Sequence, residues 1–474
     1  MWSDNYPRIV ISGISGDSGK TAVSCGLIAS LRENGKDTAC FKKGPDYIDA
    51  AWLSFASGKQ ARNLDTYLMG FATVKKSFLQ YAYKKDISVI EGNRGLFDGF
   101  DSSGTHSTAE LAKLLDSPVI IVQNITKVTR TAAASILGCT KIDPDLKIAG
   151  VILNQVAGER HGKVAKEAIE DLTGIPVIGS IPKLPHKIVL PSRHLGLITP
   201  DEYKQKFSII EDLKNVIEDY VDIKQILEIA AKVPSLENGD YNDRYENSTG
   251  EIDRVRIGYF KDQSFSFYYP ENLEMLESAG AELIPVNPTV NQDIEDLDAL
   301  YIGGGFPETN LTKLSMNQEM IDSLKQMVED GFPVYAECGG LMYLAEDIEW
   351  EGIKYSLSGI LPISIRMNNK PQGHGYCEAI VDRKNPFYKI SAIIKGHEFH
   401  YSNINSYTQE IKSVLAMKRG VGCFDQRDGI IYKNVFASYL HIHALATPQW
   451  VEGMIKCSKD YRKVKKTNIL IEGQ

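Results

Sequence analysis

The chain is poor in several things at once, and each shortage closes a door. It holds seven cysteines in 474 residues (Cys25, Cys40, Cys139, Cys338, Cys377, Cys423 and Cys457), and no two form a Cys-x-x-Cys pair. That spacing supports neither a zinc site nor a disulfide framework. No apolar run approaches the roughly 20 residues needed to span a bilayer. Basic residues are in deficit, with a net charge of −8, which argues against nucleic acid or an anionic membrane as principal partner. The first residues, Met1-Trp2-Ser3-Asp4, lack the basic-then-apolar layout of a secretory signal. Internal repeats of solenoid period and low-complexity tracts are missing too. These absences predict a cytoplasmic protein with no nucleic-acid and no membrane partner.

What is present is α/β patterning, twice. A single core rarely grows past about 250–300 residues, so 474 residues imply two or three domains. Short apolar runs at 8–12, 37–42, 87–90, 118–122, 147–153 and 176–181 alternate with helix-like stretches, the pattern of buried parallel strands in βαβ units. A polar segment at 232–253 (KVPSLENGDYNDRYENSTGEID) interrupts it and reads as a linker. A second series follows at 255–260, 282–286, 299–302 and 334–336. The expected organisation is one parallel-sheet domain over 1–231, the linker, a second α/β domain over 254–457, and a basic tail over 458–474.

The first run feeds Gly13-Ile14-Ser15-Gly16-Asp17-Ser18-Gly19-Lys20-Thr21, and a helix-like stretch follows directly. Strand, glycine loop, Lys-Thr and helix in that order make a phosphate cradle. Gly13, Gly16 and Gly19 let backbone N–H groups converge on phosphate oxygens, Lys20 reaches the β- and γ-phosphates, and Thr21 is a ligand for Mg²⁺. The spacing is one residue longer than the standard form between Gly13 and Gly19. Two acidic clusters stand at later strand ends: Gly44-Pro45-Asp46-Tyr47-Ile48-Asp49, and Glu91 through Asp98. Ligands of open α/β sheets gather at those ends. Asp46, Asp49, Glu91 and Asp98 are therefore candidates to surround one ATP–Mg²⁺ centre, with Thr21, Asp46 and Glu91 on the metal. Lys42, Lys43 and Arg94 lie among them and are candidates to hold an anionic substrate.

In the second half, Tyr335-Ala336-Glu337-Cys338-Gly339-Gly340 sets a cysteine between a strand and a helix. A nucleophile on such an elbow is exposed, and a helix N-terminus favours its thiolate. Backbone N–H groups of Gly303-Gly304-Gly305, with that of Gly339, are candidates for an oxyanion site, Gly304 and Gly339 foremost. A base is required, and Ser438-Tyr439-Leu440-His441-Ile442-His443 offers two histidines. A nucleotide site that activates a poor electrophile, beside a cysteine–histidine site that frees ammonia from glutamine, predicts ATP-driven amidation of a carboxylate.

These motifs together resemble the cobyrinate a,c-diamide synthase family. The likeness covers nearly the whole chain: GPDYID, NLD at 63–65, EGxxGLFDG, LPSRHLG at 190–196, FYYPENLE at 267–274, YIGGGFPE, YAECGGLMYL, GHEFHYS at 396–402 and SYLHxH. The resemblance implies an N-terminal P-loop domain related to dethiobiotin synthetase and a C-terminal domain of the class I glutamine amidotransferase type. It implies amidation of the a and c acetates of a corrin precursor, through an acyl phosphate, with two glutamines and two ATP. It selects His441 over His443 as the base of Cys338, and it matches Lys20, Thr21, Asp46, Asp49, Glu91 and Asp98 to the synthetase site. No acid follows His441 where many class I enzymes carry a glutamate, so a Cys–His pair without a third member is expected. Glutamine and a polycarboxylate tetrapyrrole are the implied partners, with a homo-oligomer as a further expectation. The chain departs from the family pattern at Asp17-Ser18, Lys43, Ala50-Ala51-Trp52 and Asn93-Arg94. Several of these line the substrate side, which keeps siroheme and sirohydrochlorin, with or without nickel, as alternative substrates. A non-enzymatic P-loop switch is the remote alternative.

Overall fold

A computed structural model describes residues 5–185, 188–193, 196–236 and 254–472. Most of the linker read at 232–253, the middle of the 190–196 motif and the last two residues of the tail lie outside the described residues. The chain divides into two compact units, Met1–Arg244 and Tyr245–Gln474. Among the described residues no helix is long and apolar enough to cross a membrane.

The first unit is built on one sheet. Its strands and helices alternate: β1 (Arg8–Gly13), α1 (Lys20–Glu33), β2 (Thr38–Lys43), α2 (Tyr47–Ser57), β3 (Arg62–Leu64), α3 (Thr66–Ala82) and β4 (Ile87–Glu91). Then come α4 (Thr108–Leu114), β5 (Val119–Asn124), α5 (Arg130–Ile142), β6 (Ile148–Val156), α6 (Glu159–Thr173) and β7 (Val177–Pro182). A small ladder of β8 (Ser192–Arg193) and β9 (Gly196–Leu197) precedes α7 (Lys206–Tyr220) and α8 (Ile223–Ala231). The seven main strands stand in the order β3-β2-β4-β1-β5-β6-β7, and every pairing is parallel. The chain leaves β1 toward β2 and later returns to its other side with β5, so the order reverses at β1. That is where a doubly wound sheet opens a crevice at its C-terminal edge.

Local sequence explains the pieces around that crevice. In α1, Val23, Leu27 and Leu31 recur every fourth residue, with Ile28 beside them. All are buried against Ile9, Ile11, Ile120 and Ile152, at about 1.5–3 kcal/mol per large side chain. Asp46 caps α2 by accepting from the Asp49 N–H at 2.8 Å, and Asp65 caps α3 through Tyr67 and Leu68. Gly70, at φ 74° and ψ 160°, breaks α3 one turn in. β3 escaped the sequence reading because Arg62-Asn63-Leu64 is a three-residue edge strand with no apolar run.

The second unit opens like the first, with β10 (Val255–Phe260), α9 (Pro270–Ser278), β11 (Ala281–Val286), β12 (Ala299–Ile302), α10 (Leu311–Met316), α11 (Gln318–Glu329), β13 (Val334–Glu337) and α12 (Gly339–Leu344). It continues through β14 (Ala345–Trp350), β15 (Ile353–Ser356), β16 (Leu361–Met367), β17 (Gly373–Val381), β18 (Ile393–His400), β19 (Ser402–Tyr407), β20 (Lys412–Arg419), β21 (Arg427–Tyr432), β22 (Val435–Ser438) and β23 (His441–Ile442), and ends on α13 (Pro448–Glu472). Ten strands form one sheet, β11-β10-β12-β13-β22-β21-β20-β17-β18-β23, while β15-β14-β16-β19 form another. The large sheet is parallel from β11 to β22 and antiparallel beyond. Only Tyr439-Leu440 separates β22 from β23, yet the two end opposite sides of the antiparallel half. That half must curl back on itself. Gly396 permits the closure, because a Cβ there would come within 2.4 Å of the His441 carbonyl. α13 runs unbroken through Cys457, where the second domain was read to end, and Arg462 pairs with Asp298 at 3.0 Å.

Candidate active sites

The glycine loop joins β1 to α1 at the crevice. Gly19 is required by its backbone, at φ 96°, and a Cβ there would also press on Asn154 Nδ2 at 2.2 Å; a Cβ on Gly13 would crowd Ser18, whose Oγ lies at 2.2 Å. Gly16 has open space around it, so nothing in the packing demands glycine there. Asn154, at the end of β6, braces the loop by donating to the Ser18 carbonyl at 2.9 Å; the sequence reading missed it. Lys20 donates to the Ser15 carbonyl at 3.0 Å. Burial, then the neighbouring Lys42, depresses its pKa.

Behind the loop lies a buried charge cluster. Thr21 Oγ1 donates to Glu91 Oε1 at 2.8 Å. Lys42 Nζ lies 2.8 Å from the same oxygen and 2.6 Å from Asp49 Oδ2, and it donates to the Gly92 carbonyl at 3.0 Å. Burial opposes the Lys42 charge, but Asp49 and Glu91 outweigh it and hold its pKa above the ordinary lysine value. Lys42 is thus a charge partner of two expected site carboxylates. Asp46 is pushed up to about 7 by burial and by Asp49. Asp98 serves its own turn, accepting from the Gly95 N–H at 2.9 Å, while Leu96 N–H reaches the Gly13 carbonyl at 2.8 Å. Lys43 is buried, and burial depresses its pKa; Arg94 is exposed, at φ 52°. Among the described residues no group of three or more His, Cys, Asp or Glu is set to hold a metal unaided.

In the second unit Cys338 sits between β13 and α12 at φ 47° and ψ −98°, a left-handed conformation rare for any residue but glycine. Its N–H donates to the Ser438 carbonyl at 2.7 Å. Burial, then Glu308, pushes the thiol well above the ordinary cysteine value, while the Gly339 N–H favours the thiolate. Attack by this thiol calls for a base. Two glycines draw the parts together. A Cβ on Gly304 would come within 2.4 Å of the His441 ring, and one on Gly339 within 3.1 Å of Gly305 N. Gly303 N–H is committed to the Tyr268 hydroxyl at 2.8 Å.

His441 does not stand alone, which corrects the expected pair. Its Nδ1 lies 3.4 Å from Glu337 Oε2, and Glu337 is fully buried, one residue before the nucleophile. The same carboxylate accepts from the Tyr301 hydroxyl at 3.2 Å and from the Ile442 N–H at 3.4 Å. A charged residue closing a buried strand was the available signal. His397 stacks on His441 at 4.9 Å. His443 lies 3.7 Å from Glu271, both buried. Asn272 clamps the segment between Ile442 and Ala444, at 3.0 and 2.7 Å, which gives the 267–274 motif its role. Thiol, imidazole and buried carboxylate suit nucleophilic acyl transfer. Phosphate loop, lysines and carboxylates suit phosphoryl transfer.

Comparison with known proteins agrees with both halves. Residues 9–198 match the model of the CobQ/CobB/MinD/ParA nucleotide binding domain, and residues 256–449 match that of the CobB/CobQ-like glutamine amidotransferase domain. Relatives named cobyrinate a,c-diamide synthase align along almost the full length. The protein of Magnetococcus marinus is 40% identical over 94% of this chain and 95% of its own. That of Dehalococcoides mccartyi strain CBDB1 is 41% identical over 96% and 99%, and that of Archaeoglobus fulgidus 38% over 95% and 97%. The chain belongs to the cobyrinate a,c-diamide synthase family.

Proposed function

We propose that the protein uses ATP and glutamine to amidate the a and c acetates of a cobyrinate-type tetrapyrrole. The observation that carries this is the near full-length likeness to relatives of that name, combined with a phosphate loop and a Cys–His–Glu cluster in one chain. Nothing in the comparisons favours siroheme or sirohydrochlorin.

In the glutaminase unit, Cys338 Sγ attacks the side-chain amide carbon of glutamine while His441 takes the thiol proton. Gly339 N–H, with Gly304, steadies the oxyanion. The C–N bond breaks, His441 returns the proton to the departing ammonia, and water then cleaves the thioester to glutamate. In the synthetase unit, a substrate carboxylate oxygen attacks the γ-phosphorus of ATP and ADP leaves. Ammonia attacks the acyl phosphate, and phosphate departs as the amide forms. Lys20 and Lys42 offset the charge gathering at the phosphates.

The synthetase site suits a magnesium ion. Glu91 Oε2 is buried without a hydrogen-bond partner, beside the Thr21 hydroxyl, and such an ion takes one or two carboxylates and completes its shell with phosphate oxygens and water. Thr21, Glu91 and Asp46 would hold it, and it would supply charge neutralisation on the phosphates. The division of labour is synthetase over 1–231, linker over 232–253 and glutaminase from 254 onward, with the basic stretch read at 458–474 carried on α13 as far as Glu472. A cytoplasmic homo-oligomer completes the reading. Incubating the purified protein with ATP, glutamine and each of cobyrinate, sirohydrochlorin, nickel-sirohydrochlorin and siroheme, then weighing the products, tests it. Doubly amidated cobyrinate is expected; amidation of another macrocycle alone would refute it.

A further inference from the structure

Beyond the phosphate loop, four rings meet at the C-terminal edge of the first unit's sheet. Tyr67 stacks on Phe100 at 5.0 Å and 23°, and Phe71 stacks on His106 at 6.0 Å and 14°. The two pairs meet at nearly right angles, with Tyr67 and Phe100 edge-on to His106 at 5.6 and 5.9 Å. Thr66 Oγ1 fixes the His106 ring through Nδ1 at 2.8 Å, and the His106 N–H donates to Glu110 at 2.7 Å. The cluster is not a closed core, because Phe71 is 45% exposed.

An exposed cation, Arg94, lies on the adjoining turn. Lys43 pairs in register with Leu64, three residues before Tyr67. Gly44 would meet Asn93 Nδ2 at 3.1 Å if it carried a Cβ, which brings the strand-end lysine against the Asn93-Arg94 turn. Asn93 N–H in turn donates to Thr108 Oγ1 at 3.1 Å, two residues past His106. The turn continues to Leu96, whose N–H holds the Gly13 carbonyl of the phosphate loop. Hydrogen bonds and close contacts therefore link the phosphate loop, through the Asn93-Arg94 turn, to the ring cluster.

The backbone is strained along the same rim. Arg94 and His106 adopt φ 52° and 58°, and the Gly70 break immediately precedes Phe71. Left-handed non-glycine residues cost about 1–3 kcal/mol each and persist where surrounding structure fixes them, often at ligand sites.

We propose that Phe71, held in place by the Tyr67, Phe100 and His106 rings, forms the platform on which the macrocycle of a polycarboxylate tetrapyrrole lies, with Arg94 gripping a carboxylate at its edge. The inference rests on the tetrapyrrole reading above. A broad, partly conjugated ring system offers the apolar face that exposed aromatic rings bind. Its many carboxylates need local positive charge in a chain of net charge −8. Phe71 covers the face, while the Arg94 fork suits bidentate contact with a peripheral carboxylate.

The test is steady-state kinetics of cobyrinate amidation with cobyrinate, ATP and glutamine varied in turn. The wild type is first shown by mass to form the diamide. Phe71→Ala should raise the KM for cobyrinate about tenfold, the loss of roughly one well-packed ring contact, and leave the other two KM values alone. Phe71→Tyr should restore it, and Arg94→Met should raise the same KM. An unchanged cobyrinate KM in Phe71→Ala, or equal rises for ATP, would overturn the platform while leaving the amidation reaction standing. A wild type that amidates only a different macrocycle removes the reading on which the proposal rests, and is recognised before any variant is made.

Discussion

The two units handle buried charge in opposite ways. In the first, carboxylates are met by lysines: Lys42 bridges Asp49 and Glu91, and Lys20 stands within its field. In the second, Glu337, the residue before the nucleophile, meets a histidine and a tyrosine. Phosphoryl transfer gathers negative charge, so the first site holds fixed cations in readiness. Thiol attack needs a proton moved, and the second sets an imidazole 3.4 Å from a buried carboxylate. The lesson is that each unit carries the charge its own step will need, and that the two can be broken separately.

The largest break is expected at Lys20. Lys20→Ala should lower amidation by at least about a hundredfold with either glutamine or ammonia as nitrogen source, while glutamine hydrolysis persists. Rates of ADP and glutamate formation measure the two halves; full ammonia-dependent turnover in the variant would end the activation scheme.

Glu337→Gln comes next. It removes the negative charge beside His441 Nδ1 and lets an amide N–H face the ring, so an imidazolium there loses its counter-charge. Glutaminase kcat should fall about a hundredfold or more, with ammonia-dependent amidation retained. A variant whose glutaminase pH profile and kcat match the wild type would show that the carboxylate only fills space.

Asp46 gives the smallest and most pH-dependent effect. Its carboxyl is raised from 3.8 to about 7 in the fold, so the folded chain holds that proton more tightly than the unfolded one. Stability tied to the group is present at low pH and lost as pH rises from about 4 to about 7. Asp46→Asn, which keeps the cap on α2, should unfold at higher urea than the wild type above pH 7. The gap should shrink on acidification and vanish below about pH 4. A gap that is constant with pH would place Asp46 in solvent.

The same comparison bears on what the sequence could reveal. The first unit was legible because a parallel sheet buried on both faces writes itself as unbroken apolar runs, and β1, β4 and β5 are such runs. β3 was not, for want of apolar residues. In the second unit the reading stopped at β13. Strands such as β16, Leu361-Pro362-Ile363-Ser364-Ile365, bury alternate residues and carry no continuous run. Cys338 and the phosphate loop are local motifs and stood out. Glu337 was passed over because its partner His441 arrives on another strand, through a curled sheet that no spacing announces. Asn154 was missed, and Lys42 was read as a holder of anionic substrate, for a similar reason: their partners Ser18, Asp49 and Glu91 lie on neighbouring elements.

The central claim is that one chain couples two separable chemistries. Cys338→Ala, assayed for cobyrinate amidation with glutamine and then with ammonium at saturating ATP, tests it most directly. The account predicts loss of glutamine-dependent product with ammonia-dependent product largely intact. Retained glutamine-dependent amidation, or equal loss with both nitrogen sources, would contradict it.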